Sequence, residues 1–226
     1  MSNEKLLLQS SCNPTSSSKA SFKFARGLKR LLDVLLALFL MPIVCLVIAV
    51  AAIAIKLDSS GPVFYSGQRI GKNGREFPFF KLRTMHQNAD VLLQKHLASS
   101  PDLQKQWENF AKIKGFDPRV TRVGTILRKL SVDELPQVAN VILGDMSFIG
   151  PRPYLPREKQ YLEGHEDILR VPPGISGFWQ VSGRNNVTFD QRLRMDTWYV
   201  ENWSLWLDLV ILIRTISVVF GGKGAY

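Results

Sequence analysis

The sequence predicts an α+β chain, mostly helical, built on an N-terminal membrane helix and carrying one small β-hairpin. Three observations carry that expectation. A charge-free apolar run extends from Val34 to Ile55, an Asn73-Gly74 turn separates two β-rich stretches, and helical spacing governs most of the remainder. The 226 residues allow one domain with an attachment device. Hydrophobic residues at 46% and charged residues at 21% exclude disordered and fibrous classes. Twenty-nine basic against nineteen acidic residues leave +10, which suits phosphate-rich partners: nucleotides, nucleic acid or anionic lipid. Cys12 and Cys45 are the only cysteines, and Cys45 lies inside the apolar run, so a disulfide-stapled domain is excluded. The scattered His86, His96 and His165 do not complete a zinc site with them.

In chain order, residues 1–21 are polar, with six serines from Ser10 to Ser21, and read as a flexible tail. Phe22 to Asp33 mixes basic and apolar residues at helical spacing and reads as an interfacial lead-in. Val34 to Ile55 holds 22 residues without a charge. At about 1.5 Å each they reach roughly 33 Å, enough to cross a hydrocarbon core. The run begins too late and lacks the cleavage site of a signal peptide. Pro42 falls inside it and removes a helical hydrogen bond. Lys23, Arg26, Lys29 and Arg30 precede the run, and Lys56, Arg69, Lys72 and Arg75 follow it, so the positive-inside rule keeps both ends in the cytoplasm. A re-entrant hairpin bent at Met41-Pro42 meets that demand, with an ordinary kinked span as the alternative.

Beyond the membrane segment, Val63-Phe64-Tyr65 and Phe77 to Leu82 flank Asn73-Gly74, a dipeptide that tolerates positive φ, and predict the hairpin. Residues 87–115 predict two helices divided at Pro101, and Val123 to Leu130 and Leu135 to Ile142 predict two more. Pro151 to Pro156 and Val171 to Gly177 read as stiff loops. A last long element is expected from Trp198. Asp208 and Arg214 interrupt its apolar stretch, so it is not a second span. Its aromatic end fits a helix at the headgroup level or, equally, a packed core helix.

Four clusters bring together residues able to do chemistry. In Arg128-Lys129-Leu130-Ser131-Val132-Asp133-Glu134, Ser131 and Glu134 match a capping box, which accounts for Glu134 as an ordinary helix start. Two consecutive acids beside two bases also fit a nucleophile or a magnesium ligand, because a carboxylate at a helix N-terminus stays ionised. Arg152 sits between Pro151 and Pro153, where a stiff backbone aims a guanidinium at phosphate oxygens at low entropic cost. Lys81 and Arg83 project from alternating positions of KLRTM, either toward a ligand or toward solvent. In PGISGFWQVSGRN, glycines permit close backbone approach, and Gln180, Arg184 and Asn185 offer donors to a sugar or nucleotide.

Taken together, the apolar anchor, the hairpin, KLRTM, LSVDELPQ, GDMSFIGPRP and PGISGFWQVSGRN stand in an order that resembles the bacterial sugar transferases, the monotopic phosphoglycosyl transferases. The similarity runs from about Phe22 to the C-terminus. It is strongest to the compact, exopolysaccharide-initiating galactose phosphotransferase type, down to WSLWLDLV and the final GKGAY.

The resemblance implies transfer of a hexose 1-phosphate, galactose first and glucose second, from a UDP-sugar to undecaprenyl phosphate with release of UMP. It implies Asp133 as nucleophile, forming an aspartyl phosphosugar, with Glu134 assisting and Mg²⁺ as cofactor held through Asp133. Lys81, Arg83, Arg128, Arg152, Gln180, Arg184 and Asn185 become the substrate-binding set. The resemblance also implies a re-entrant anchor broken at Pro42, although Met41 stands where many relatives carry a serine that satisfies a freed backbone group. The expected organisation is a tail at 1–21, an interfacial plus re-entrant membrane segment at 22–57, and a cytoplasmic catalytic domain with interfacial amphipathic helices at 58–226. The expected place is the cytoplasmic face of a bacterial inner membrane. Membrane lipid, downstream glycosyltransferases and a second copy of the chain are the remaining partners, and nucleic acid is not among them. Two rivals remain open: a non-catalytic membrane-tethered binder of anionic lipid or nucleic acid, and a one-step transferase in which lipid phosphate attacks directly.

Overall fold

The computed structural model describes residues 16–110, 115–182 and 187–220. Helix α1, Ser16–Asp58, is a single element of 43 residues with Pro42 inside it. Sequence leads us to expect a re-entrant hairpin bent at Met41-Pro42, but the helix continues through both residues without interruption. A proline inside a long helix removes one donor and leaves the remaining ladder available. Met41 is half-buried and packs with Leu40 against a cluster containing Ala37, Val44, Phe77, Phe79, Val138 and Val141, so packing supports the chain next to Pro42.

The buried residues of α1 recur as Ala37, Val44, Ala51 and Ile55, a stripe at helical spacing. Leu35, Leu38, Phe39, Ile43, Leu46, Val50, Ile53 and Leu57 remain exposed, so the outward surface is a continuous apolar strip. The inward stripe is tied down at both ends. Lys29 Nζ lies 2.7 Å from Asp208, and Asp33 accepts hydrogen bonds from Ser147 Oγ at 2.8 Å and the Phe148 amide at 3.3 Å. At the other end, Asp58 accepts from the Val123 amide at 3.1 Å.

Strands β1, Phe64–Ile70, and β2, Glu76–Leu82, pair antiparallel with Ser66 opposite Phe80 and Arg69 opposite Phe77. Asn73 and Gly74 both adopt positive φ in the connecting turn, as their dipeptide suggests. Helices α2, Ala89–Ala98, and α3, Pro101–Phe110, divide at Pro101 as expected. Helix α4, Arg122–Lys129, starts at a Thr121 cap that accepts from the Gly124 amide at 2.9 Å. Gly124 lies so close to the Thr84 carbonyl that a Cβ would overlap it, and this contact seats α4 beside the end of β2.

A 3₁₀ turn, Val132–Glu134, leads into α5, Gln137–Leu143, which ends at Gly144 in the left-handed conformation. Arg30 of α1 donates to the last carbonyls of α5, those of Val141 and Ile142, which would otherwise lack partners. Fully buried Asn140 joins α5 to the outer edge of β2. Its Nδ2 donates to the Pro78 carbonyl at 2.7 Å, and its Oδ1 accepts from the Phe80 amide at 3.2 Å.

One stretch expected to be a loop, Val171 to Gly177, contributes a strand to a second sheet, whose other strand lies just before the Pro151 to Pro156 stretch. Strand β3, Ser147–Ile149, pairs parallel with β4, Gly174–Ser176. Three-residue strands are too short for periodicity to reveal. Beyond a short α6, Phe178–Ser182, helix α7 spans Phe189–Glu201 and α8 spans Leu205–Phe220. Trp198 therefore belongs to α7 and does not begin the last helix. Helix α8 packs one face into the core, as the core alternative expects, and leaves an apolar face outward. Ile211 is buried and Asp208 accepts from Tyr199 and Trp203, whereas Trp206, Leu209, Ile213 and Ile216 form an exposed apolar stripe.

Candidate active site

Asp133 and Glu134 lie on the 3₁₀ turn directly before α5. The capping box expected from Ser131 and Glu134 does not form. Ser131 sits at φ 56°, ψ 21°, and its side chain makes no cap. Such a conformation costs a non-glycine residue free energy, and here it occurs two residues from the carboxylates. Glu134 is instead drawn across to β2, with Lys81 Nζ 2.7 Å from Glu134 Oε1 and 3.5 Å from Asp133 Oδ2. One ammonium thus holds two carboxylates together. The Asn140 clamp fixes the register of β2 against α5 and so fixes this meeting.

The two acids differ in exposure. Side-chain accessibility is 9% for Asp133 and 35% for Glu134. Burial pushes the Asp133 carboxyl above its ordinary value, Lys81 and Arg128 pull it down, and Glu134 pushes it up. Burial pulls Lys81 down, but Glu134 and Asp133 together outweigh it and hold the ammonium above the ordinary lysine value. Asp133 is therefore a desolvated carboxylate kept usable by neighbouring cations, whereas Glu134 can still exchange with solvent. Arg128 is oriented by donation from Nε to Thr84 Oγ1 at 2.9 Å.

Other expected site residues lie elsewhere. Arg83 is buried and donates to the carbonyl and hydroxyl of Ser59 at 2.7 and 3.0 Å, so its placement is at the segment leaving α1, away from the Lys81 contacts. Gln180 donates to the Ile175 carbonyl at 3.0 Å and organises its own loop. Arg184 and Asn185 fall outside the described residues.

Arg152 belongs to a second cationic group that the sequence did not delimit. Its amide donates to Asp196 at 3.0 Å and its guanidinium lies 3.8 Å from Glu158. Arg192 stacks at 4.3 Å over Trp179, and Arg69 stacks at 4.9 Å over Phe79. Lys81 sits 5.5 Å from the same Phe79 ring, so a single aromatic side chain links the two cationic groups. Burial, followed by the charge of Arg152, lowers both Arg69 and Arg192 below the ordinary arginine value. Mutual repulsion among clustered guanidiniums is relieved by a bound polyanion. Within this group Asp196 is pushed up to about 6 by burial, against hydrogen bonds from Arg152 and Tyr154 and the charges of Arg152 and Arg192. Sequence treated Arg69 only as a basic flank and Trp179 only as part of a loop, because their pairings span long separations.

Among the described residues no group of three or more His, Cys, Asp or Glu side chains could hold a metal. Asp133 and Glu134 nevertheless fit Mg²⁺ held jointly with substrate, since this ion commonly takes one or two carboxylates, phosphate oxygens and waters.

Comparison with known proteins places this chain in a defined family. The family described as bacterial sugar transferase matches residues 24–222. An undecaprenyl-phosphate galactose phosphotransferase of Salmonella typhimurium is 42% identical over 203 residues, 89% of this chain and 42% of that protein. The exopolysaccharide production protein ExoY of Sinorhizobium fredii is 45% identical over 203 residues, covering 88% of each chain. A UDP-glucose:undecaprenyl-phosphate glucose-1-phosphate transferase of Caulobacter vibrioides is 38% identical over 207 residues, 88% of this chain and 72% of that protein. The chain thus spans less than half of the Salmonella relative and most of the rhizobial one. With the match reaching from α1 through α8 and including both carboxylates, this chain belongs to the bacterial sugar transferase family.

Proposed function

We propose that the chain transfers hexose 1-phosphate, with galactose the first candidate and glucose the second, from a UDP-sugar to undecaprenyl phosphate, opening exopolysaccharide assembly. The observation that carries this reading is the buried Asp133 carboxylate, bridged to Glu134 by Lys81, with Arg128 beside it and a second cationic group beyond Phe79.

Asp133 Oδ attacks the β-phosphorus of the donor, and the bond from that phosphorus to the bridging oxygen breaks. UMP leaves with the bridging oxygen and its electron pair, and the sugar phosphate is esterified to Asp133. An oxygen of the lipid phosphate then attacks the same phosphorus and expels the carboxylate, giving undecaprenyl diphosphate sugar. Both attacks bring anion to anion, so preplaced cations supply much of the stabilisation. Lys81 and Arg128 serve the β-phosphate, while Arg69, Arg152 and Arg192 hold the departing nucleotide phosphate. The more exposed Glu134 accepts the proton of an incoming monoprotonated lipid phosphate. Mg²⁺ held by Asp133, Glu134 and the donor would draw charge from the diphosphate oxygens.

Membrane placement follows the same reading. A helix fastened to one body near Lys29 and again at Asp58 does not carry its two ends to opposite sides of a bilayer. The monotopic, re-entrant arrangement on the cytoplasmic face of the inner membrane fits that fastening, with the apolar strip of α1 and the outer stripe of α8 turned to lipid.

The test is UMP release by purified protein with undecaprenyl phosphate across a panel of UDP-sugars. Asp133→Asn is expected to abolish release. Without acceptor, a labelled sugar phosphate is expected to remain on the wild-type protein. Release that survives in Asp133→Asn, with no trapped adduct, would establish direct attack by the lipid phosphate instead.

A further inference from the structure

Ser131 has no part in the steps above, yet it holds the backbone that carries both acids. Among the described residues, Ser131 and Asn73 are the only non-glycine positions with positive φ, and the hairpin turn accounts for Asn73. A Cβ opposes this conformation, and the Ser131 side chain offsets nothing by capping an amide. Its backbone, by contrast, uses both polar groups. The Ser131 amide donates to the Arg128 carbonyl at 3.1 Å and ends α4, while its carbonyl accepts from the Glu134 amide at 3.3 Å and begins the 3₁₀ turn. One residue therefore sets the direction of the acids relative to Arg128. In an uninterrupted helix Asp133 would lie about 140° around the axis from Arg128. With the reversal at Ser131, the charge of Arg128 reaches Asp133, and Lys81 of β2 stands 3.5 Å from it.

The turn is pinned on both sides of the acids. Val132 packs against the buried cluster of Ala51, Ile55, Leu82 and Leu127, and Leu135 packs against the cluster containing Ala37, Val44 and Phe77. These two anchors keep Ser131 in a conformation that its own Cβ disfavours. We propose that Ser131 is a positioning residue for the transfer, its left-handed backbone and not its hydroxyl aiming Asp133 at the donor phosphorus. This role rests on the transferase reading, because only an attacking carboxylate needs that aim.

The test measures kcat and donor KM for UMP release by the full chain in detergent, with undecaprenyl phosphate as acceptor and thermal melts to check folding. Ser131→Gly and Ser131→Asn accept positive φ and are expected to keep kcat within about threefold. Ser131→Thr retains the hydroxyl and Ser131→Val does not, but both resist positive φ through a branched Cβ. Both are expected to lose kcat about fivefold or more. Donor KM should stay within about twofold, since the arginines beyond Phe79 still hold the nucleotide phosphate. Loss in Ser131→Gly and Ser131→Val with retention in Ser131→Thr would assign the role to the hydroxyl and overturn the proposal. Wild-type kcat in both β-branched variants would also overturn it, as would a loss carried by KM in place of kcat.

Should the β-branched variants fail to fold, Val132→Ala decides. It slackens one anchor and is expected to lower kcat about fivefold or more, and Ser131→Gly in the same chain is expected to restore kcat to within about threefold of wild type. Wild-type kcat in Val132→Ala, or no recovery in the double variant, would overturn the proposal. A wild type that releases no UMP overturns the transferase reading and this role with it, whereas an active wild type with the wrong order among the variants overturns the role alone.

Discussion

Replacing Lys81 with Met removes one charge from the centre of the site while keeping most of the side-chain volume. The ammonium lies 3.5 Å from Asp133 and 2.7 Å from Glu134. At an effective dielectric of about 20, its attraction for Asp133 alone is about 5 kcal/mol before compensation by solvent. An opposite charge so close changes a carboxyl's ionisation constant by about one to three powers of ten. Burial already raises Asp133, and Lys81 is the first force opposing it. Without Lys81, burial and Glu134 act against a weaker opposition, so the ionised fraction falls at a given pH. The acid limb of kcat/KM for UMP release should move to higher pH, with at least about tenfold loss of rate on that limb. Lys81→Arg should bring the limb back toward its original position. A pH-independent loss in Lys81→Met, with the limb unmoved, would refute the argument that Lys81 tunes Asp133 and would assign it to the substrate alone.

Three further outcomes are expected. Asp196 holds its proton in the folded state to about pH 6, whereas the unfolded chain releases it near 3.8, the ordinary aspartate value. The native state therefore binds more protons within this window, and stability falls as pH rises through it, by about 3 kcal/mol from this group. Thermal melts of Asp196→Asn should lack this component, and a retained slope would assign it to another group. Asn140→Ala strands the Phe80 amide and Pro78 carbonyl and should cost about 2–4 kcal/mol in denaturant unfolding. A loss below about 1 kcal/mol would show that water replaces the clamp. Arg192→Ala removes a nucleotide-side cation and should raise KM for UDP-sugar about tenfold or more while leaving acceptor KM nearly unchanged. The reverse pattern would place the acceptor phosphate there.

Local chemistry made much of the molecule legible. The apolar anchor, the Asn73-Gly74 turn, the division at Pro101 and the paired acids all announce themselves within a few residues. Lys81 was recognisable only as a cation of unspecified direction, because the Asn140 clamp that brings it to Asp133 bridges some sixty positions. Arg83 occupies an alternating position like that of Lys81, yet Ser59 captures it, and no periodicity distinguishes those two outcomes. Ser131 looked like a cap by residue type, but its left-handed backbone turns it from that role. The β3–β4 pair was hidden because parallel pairing of such short segments depends on distant chain geometry. Arg69 and Arg192 gain meaning only through the rings beneath them.

The double fastening of α1 bears on how the protein responds to bilayers of different thickness. A simple spanning helix accommodates a thicker or thinner hydrocarbon layer by tilting or sliding. The Lys29 and Asp58 attachments deny α1 that freedom, since either motion must carry the whole body along or break a partly buried ion pair or hydrogen bond. In the proposed monotopic placement, immersion depth is therefore set by the protein, and the surrounding lipid must deform around it. The height of Asp133 above the acyl chains becomes a built-in dimension, insensitive to the chain length of the host lipids.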